Sequence, residues 1–257
     1  MSYLDGKTAR IDQLLALYGR QEQLLAELKQ TTIAHAVTHG LNPNTPTKHT
    51  NIPWLNEIPQ HWEVKRIASL FTGKIQVNSE FLYKHAYKFN YGALVLKNET
   101  GNEEEYKDTY IKYSILKKGD IVINGLNLNY DFISQRVALC ENDGIITSAY
   151  VVCRPRPQVY SEYFNYLFKS MDAQKMFHGM GTGIRLTLSF DELKKQSIPL
   201  PPLSEQQEIV AYINEKCEKI DRQITSIRRQ IELLQEYKQR LIADLVTGHF
   251  KPNGEAQ

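Results

Sequence analysis

The run Gly179-Met180-Gly181-Thr182-Gly183 has the glycine density of a phosphate-cradling loop. Such a loop works when it leaves a strand and opens a helix, so that backbone N–H groups and the helix dipole meet the anion. Here a helical pattern precedes it and an extended one follows, which is the reverse order. Glu63-Val64-Lys65 carries the acid and base of a nuclease strand, but no partnered Asp precedes it at strand spacing, and a helix or strand surface accounts for it. The histidines at 35, 39, 49, 61, 85, 178 and 249 read as lacking metal-ligand spacing. Cys140, Cys153 and Cys217 are odd in number and widely spread, as small core residues are. No Asn/Asp-Pro-Pro-aromatic tetrad, Walker loop or Gly-x-Ser-x-Gly elbow occurs. The chain therefore reads as a binding or scaffold protein, with no catalytic group, metal or cofactor of its own.

Two stretches suit recognition instead. In 124–131 a strand candidate runs into Asn124, Asn127, Asn129 and Tyr130. Asn amides match the N6/N7 edge of adenine, and amide and phenol groups also bond phosphates. The same stretch is equally an Asn-rich turn. In 179–187, glycine freedom combines with Thr182, Arg185 and Thr187, which lets the backbone approach a phosphate while one Arg reaches out; a structural crossover with a surface Arg is the other reading. Lys74 and Gln76, after Gly73, form a third candidate. Tyr83, Tyr87, Phe89 and Tyr91 read as core rather than as a stacking platform.

The elements that must position these residues begin with an internal repeat. Residues 7–38 match 216–247 at a constant offset of 209, with fourteen of thirty-two positions identical and no gap. Both copies read as long helices. The second opens at a Ser204/Gln207 capping box behind Pro201-Pro202 and meets no Pro or Gly until Gly248. Its Cys217, Ile220, Ile224, Ile227, Ile231, Leu234, Leu241 and Leu245 keep three- and four-residue steps broken only by Lys238, a coiled-coil seam. The first helix carries Ile11, Leu15, Tyr18, Leu25 and Ala36 on its seam and Leu14, Leu17, Leu24, Leu28 and Ile33 beside it. That surplus offers a face to a partner, and Leu24, Leu28, Ile33, Leu234, Leu241 and Leu245 are the residues expected to make it.

Between the helices, strand patterns at 93–97, 110–116, 120–124, 136–140 and 145–154, a helix over 161–177, a short helix at 191–195 and an extended 197–200 predict a mixed α/β globule. The expected layout is α+β: an N-terminal helix (1–41), a linker (42–51), one globular domain (52–203), a C-terminal helix (204–248) and a flexible tail (249–257), the helices pairing antiparallel. The chain holds 257 residues, 42% of them hydrophobic, with 31 Lys plus Arg against 29 Asp plus Glu. This composition excludes a disordered chain, and the near-neutral balance gives no bulk-charge signal for nucleic acid. Charges interrupt every apolar stretch and Met1 is followed by Ser-Tyr-Leu-Asp, so a cytoplasmic protein without a membrane span is expected.

Three stretches carry a family resemblance: Ile52-Pro53-Trp54-Leu55-Asn56-Glu57-Ile58-Pro59-Gln60-His61-Trp62-Glu63-Val64; Ile198-Pro199-Leu200-Pro201-Pro202-Leu203-Ser204-Glu205-Gln206-Gln207-Glu208-Ile209; and the pair Gly119-Asp120-Ile121-Val122-Ile123-Asn124 and Gly144-Ile145-Ile146-Thr147-Ser148-Ala149-Tyr150. With the helical repeats, they make the chain resemble the DNA-specificity subunit of Type I restriction-modification enzymes. The resemblance implies a target-recognition domain reading half of a bipartite sequence in double-stranded DNA. It further implies that the conserved helices hold modification subunits, which methylate adenine with S-adenosylmethionine, and that ATP-driven restriction subunits join through the complex. A complete subunit has two recognition domains; this chain has one between both helices, like the family's C-terminal half. A homodimer would restore two. The residues leave two other readings: a decoy that occupies modification subunits without reading DNA, and a stand-alone DNA-modifying enzyme.

Overall fold

The computed structural model describes residues 2–98, 103–130, 135–184 and 186–247. α1 (Ser2–His39) is followed by β1 (Thr47–Ile52), β2 (Leu55–Pro59), β3 (Glu63–Arg66), α2 (Ile67–Leu70) and β4 (Phe71–Thr72). Then come β5 (Tyr87–Asn90), β6 (Ala93–Leu96), α3 (Glu103–Tyr110), β7 (Ser114–Leu116), β8 (Ile121–Ile123), β9 (Val137–Leu139), β10 (Gly144–Ile146) and β11 (Val151–Pro155). The order ends with α4 (Ser161–Ala173), α5 (Phe190–Leu193), β12 (Ser197–Leu200) and α6 (Leu203–Val246). The chain divides into a helical unit, 1–32 with 213–257, and a globular unit, 33–212.

In the globular unit β4, β11, β8 and β9 form a four-stranded sheet in that order, every pair antiparallel. Ile121, Val122 and Ile123 are all buried, which is why β8 reads as an unbroken β-branched run rather than an alternating one. α4 lays Tyr163, Phe164, Leu167, Phe168 and Met171 into the core at helical spacing. Phe71 meets the Phe164 ring edge to face at 5.4 Å. β7 pairs with β10 in a smaller two-stranded sheet, whose Ile115 and Ile145 bury with Tyr110 and Ala86.

One charged pair joins β11 to the residue just before β8. Asp120 is only 1% exposed at its side chain, and its two oxygens accept from Arg154 Nε at 2.9 Å and Nη2 at 2.7 Å. The carboxylate also accepts the Lys117 N–H at 2.8 Å, and Arg154 donates to the Ile115 carbonyl at 3.0 Å. The hydrogen bonds to Asp120 raise the guanidinium's already high pKa. Fork-on-fork geometry of this kind fixes direction as well as supplying energy.

Several boundaries differ from the sequence reading. The stretch 42–51 holds all but the last residue of β1, which pairs with β2 in spite of its polar sequence. The 110–116 run splits, because three glutamates at the start of α3 favour a helix N-terminus and Tyr110 closes that helix. The 145–154 run splits into β10 and β11, which pair with different strands. The helix expected over 161–177 ends at Ala173, and a 3-10 turn follows at Met176–Met180. α6 starts one residue before the expected Ser204 cap. Its anchor is Gln206, wholly buried, which accepts the Tyr160 N–H at 2.8 Å and donates to the Pro201 carbonyl at 2.9 Å. α1 ends where Gly40 turns left-handed at φ 75°, the conformation glycine adopts without strain.

In the helical unit the two helices run antiparallel. Lys29 bridges Asp221 at 2.7 Å, Glu22 bridges Arg228 at 2.7 Å, and Asp12 bridges Lys238 at 2.5 Å. From the first pair to the second, the register retreats seven residues along α1 and advances seven along α6; from the second to the third it moves ten and ten. Lys29 and Lys238 are equivalent in the repeat, as are Asp12 and Asp221, so the first and third bridges are one bridge seen twice about a local twofold relation. Such half-exposed pairs set register more than they add stability. Ile11, Cys217, Ile220 and Ile227 are buried on the seam, while Leu14, Leu17, Leu24, Leu28, Leu233 and Tyr237 stay exposed.

Candidate functional site

The two recognition stretches meet at one place on the globular unit. After β8 the chain makes an Asx turn, with Asn124 Oδ1 accepting the Leu126 N–H at 3.2 Å, and then a 3-10 turn at Leu128–Tyr130. The second stretch is a tight hairpin closed by Thr182 and Thr187, whose backbones exchange hydrogen bonds at 3.1 and 2.9 Å. The loops are stitched together by main chain: Leu188 N–H donates to the Gly125 carbonyl at 2.8 Å, and Leu128 N–H to the Leu186 carbonyl at 3.1 Å. Leu128 is fully buried beneath them.

The glycines have a packing role here, not a phosphate-cradling one. A Cβ at Gly125 would stand 2.4 Å from the Leu188 carbonyl oxygen, and one at Gly181 would stand 2.9 Å from Leu128 Cδ1. Glycine lets the two backbones touch. Asn127 (φ 51°) and Leu186 (φ 43°) both sit in the left-handed region, which Asn tolerates and Leu resists. Non-glycine residues held there persist only where surroundings over-determine them, as at functional sites.

Among the described residues of the two loops, the outward-facing side chains are uncharged, and all but one isoleucine are polar. Asn127, Thr182 and Thr187 are exposed, and Ile184 at the hairpin tip is 99% exposed. Asn129 is exposed too, but its amide donates to the Ile184 carbonyl at 3.4 Å, so part of its capacity goes to joining the loops. Arg185 lies outside the described residues, as does the side chain of Tyr130. Lys74 and Gln76 are exposed on a separate segment, linked to the hairpin side through Gly73, whose Cβ position is occupied by the Phe190 ring. The structure thus brings together Asn127, Asn129, Thr182 and Thr187.

Sequence reasoning missed Arg136, which opens the strand pattern 136–140 and holds the loop from within. It is 8% exposed, and Nη1 donates to the Asn124 and Leu126 carbonyls at 2.9 and 2.8 Å. The available signal was a cation heading an otherwise apolar run.

Other candidate chemistry resolves into structure. Glu63 and Lys65 lie on β3 and pair with each other at 2.7 Å. The three cysteines are buried, the Cys140 thiol pushed up to about 12 by burial and the Cys153 thiol higher still, so neither is a nucleophile near neutrality. The histidine reading misses one pair. His35 and His39, a turn apart, stack with ring centroids 4.9 Å apart, and His39 Nδ1 lies 2.7 Å from Thr38 Oγ1. Among the described residues no group of three could hold a metal, and no helix is long and apolar enough to cross a membrane.

Of the residues expected to meet a partner, Leu24 and Leu28 are exposed. Ile33 is buried at 8%, and Leu234 and Leu241 are half-buried at seam positions. The physical reason is the heptad step: Leu234 and Leu241 continue the series that buries Ile220 and Ile227. Their exposed neighbours on α6 are Leu233 and Tyr237. The side chain of Leu245 lies outside those described.

Comparison with known proteins places this architecture. The family model for the Type I restriction modification DNA specificity domain matches residues 59–235. The chain is similar to the specificity subunit of the Type I restriction enzyme MjaVIII from Methanocaldococcus jannaschii, 25% identical over 264 residues, covering 93% of this chain and 57% of that protein. It therefore spans little more than half the length of that relative. Among solved structures it is similar to a chain from work on complex assembly and conformational transition of the type I R-M system. That TM-score is 0.65 at 14% identity, covering 95% of this chain and 57% of the other. The HsdS subunit from Thermoanaerobacter tengcongensis matches with a TM-score of 0.53 at 16% identity, over 95% of this chain and 56% of that one. At these identities the solved structures speak for the fold, a mixed helix and strand unit with a long helix at each end. The matched span covers most of the sequence and includes β3 to β12, both loops and much of α6, and on that ground the chain belongs to the Type I restriction modification DNA specificity domain family.

Proposed function

We propose that the chain is a non-catalytic DNA-reading component of a Type I restriction-modification assembly. It recognises one half of a bipartite site in double-stranded DNA and presents its helices to modification subunits. The observation that carries this reading is the stitched pair of loops, which holds the neutral amide and hydroxyl groups of Asn127, Asn129, Thr182 and Thr187 outward on a rigid backbone. Amides and hydroxyls read base edges in the major groove, and a rigid support is what directional hydrogen bonding needs. Arg185, between the two threonines in sequence, is the cation proposed for a phosphate or guanine edge, and Tyr130, Lys74 and Gln76 are the further proposed contacts. The near-neutral composition fits specificity from groups at fixed positions better than from bulk charge.

The methyl transfer belongs to the modification subunits, and restriction subunits join through that complex; this chain brings no cofactor. Two chains joined through their matching end helices would restore two recognition units. A decoy would occupy modification subunits without any sequence preference. Replacing Asn127 by Ala should weaken binding to the recognised sequence by about 1–3 kcal/mol and leave binding to random DNA unchanged, because a base contact carries the discrimination. Titration of the chain with modification subunits against both DNAs checks this. Loss of both affinities together would assign Asn127 to general binding.

A further inference from the structure

A guanidinium taken out of water is stable only where fixed acceptors replace its hydration, so the position of a buried arginine shows which backbone the fold needs to hold still. Arg136 is 8% exposed and reaches across to the recognition loop. Nη1 donates to the carbonyls of Asn124 at 2.9 Å and Leu126 at 2.8 Å, and Nη2 to that of Asn127 at 3.3 Å. Three carbonyls within four residues converge on one planar cation, which requires the sharp turn taken at Asn127 with φ 51°. The arginine is itself fixed at its main chain: its N–H donates to Asp172 Oδ2 at 2.8 Å, and its carbonyl accepts the Asn124 N–H at 2.8 Å. Asp172 is buried in the last turn of α4, so the loop is tied through one residue to the helix that carries the core.

We propose that Arg136, seated on Asp172, is a positioning residue for DNA readout. It draws the loop carbonyls inward so that the Asn127 and Asn129 amides present one fixed geometry to the bases. This rests on the proposed DNA-reading function and adds a specificity determinant that touches no DNA. Lysine keeps the charge but lacks the planar fork, so it cannot serve three carbonyls at these positions.

The test compares the full chain with Arg136→Lys and with Asp172→Asn. In the free chain, hydrogen exchange is followed at the Leu128 and Leu188 amides, which close the loop, and at Val122 in the central strand. In complex with modification subunits, affinity is measured for the recognised sequence and for random DNA over a range of salt. Arg136→Lys should raise exchange at Leu128 and Leu188 about tenfold with Val122 unchanged, and lower the ratio of specific to random affinity about tenfold at an unaltered salt slope. Asp172→Asn should move both readouts the same way by less, and it carries the test if the lysine variant does not fold. Unchanged loop exchange overturns the proposal, and so does faster exchange with an undiminished affinity ratio. If the wild-type chain shows no sequence preference, the DNA-reading function falls, while the exchange data still decide whether Arg136 holds the loop.

Discussion

Arg154→Ala should destabilise the globular unit by about 3–5 kcal/mol, the loss typical of breaking a buried ion pair from one side. The change strands a carboxylate that is 1% exposed and removes both donors of the fork, leaving only the Lys117 N–H to Asp120. It also frees the Ile115 carbonyl on β7, so the damage reaches both sheets. Adding Asp120→Asn should recover part of the loss, since a neutral amide is far cheaper to bury than a charge and still accepts the Lys117 N–H. Urea unfolding of the wild type and of the two variants checks this. Equal losses in the single and double variants would mean that the pair's charge is not what matters.

The second large effect concerns assembly. Leu24 and Leu28 are exposed on α1, and the repeat places Leu233 and Tyr237 at the equivalent positions of α6. The local twofold relation of the ion pairs makes these two faces counterparts, and under the proposed function each would meet one modification subunit. Asp at Leu24 and Leu28 should weaken binding at one face by at least a hundredfold, because each buried leucine contributes about 1.5–3 kcal/mol and the new charges oppose burial. The pair Leu233→Asp and Tyr237→Asp should do the same at the other face, and all four together should leave no complex. Helical content stays intact in each, because none of the four lies on the seam. Leu234→Asp with Leu241→Asp should also abolish the complex, but by parting the helices, with a loss of far-ultraviolet helical signal. Sedimentation with circular dichroism separates the two routes. Normal stoichiometry in the fourfold variant would place the partner surface elsewhere.

The seam and the repeat were legible in the sequence because they rest on periodicity: Ile11, Ile220 and Ile227 bury where the heptad steps put them. The fully buried Ile121-Val122-Ile123 was legible on other grounds, as an unbroken β-branched run between turn signals. β1 was not, since Thr47 to His49 carry no apolar alternation and pair only because β2 lies beside them. For the site, residue type pointed to Asn127, Asn129, Thr182 and Thr187, but nothing local announces that two segments more than fifty residues apart will share hydrogen bonds. Gly181 read as flexible from sequence alone and Gly125 carried no reading of its own, and the role of each depends on which backbone it approaches. Arg136 escaped notice because its partners are carbonyls, which leave no trace in a sequence.

The central claim is that this chain chooses the DNA sequence, and mapping methylated adenines across a genome, in cells where it is the only specificity chain, tests that claim most directly. The account predicts one motif that vanishes when the chain is deleted. For a homodimer it should be an inverted repeat with a fixed spacer, since symmetric readers bind symmetric sites. An asymmetric bipartite motif would remove the homodimer and keep the reading role. Methylation with no common sequence, or a motif that persists without the chain, would contradict the account.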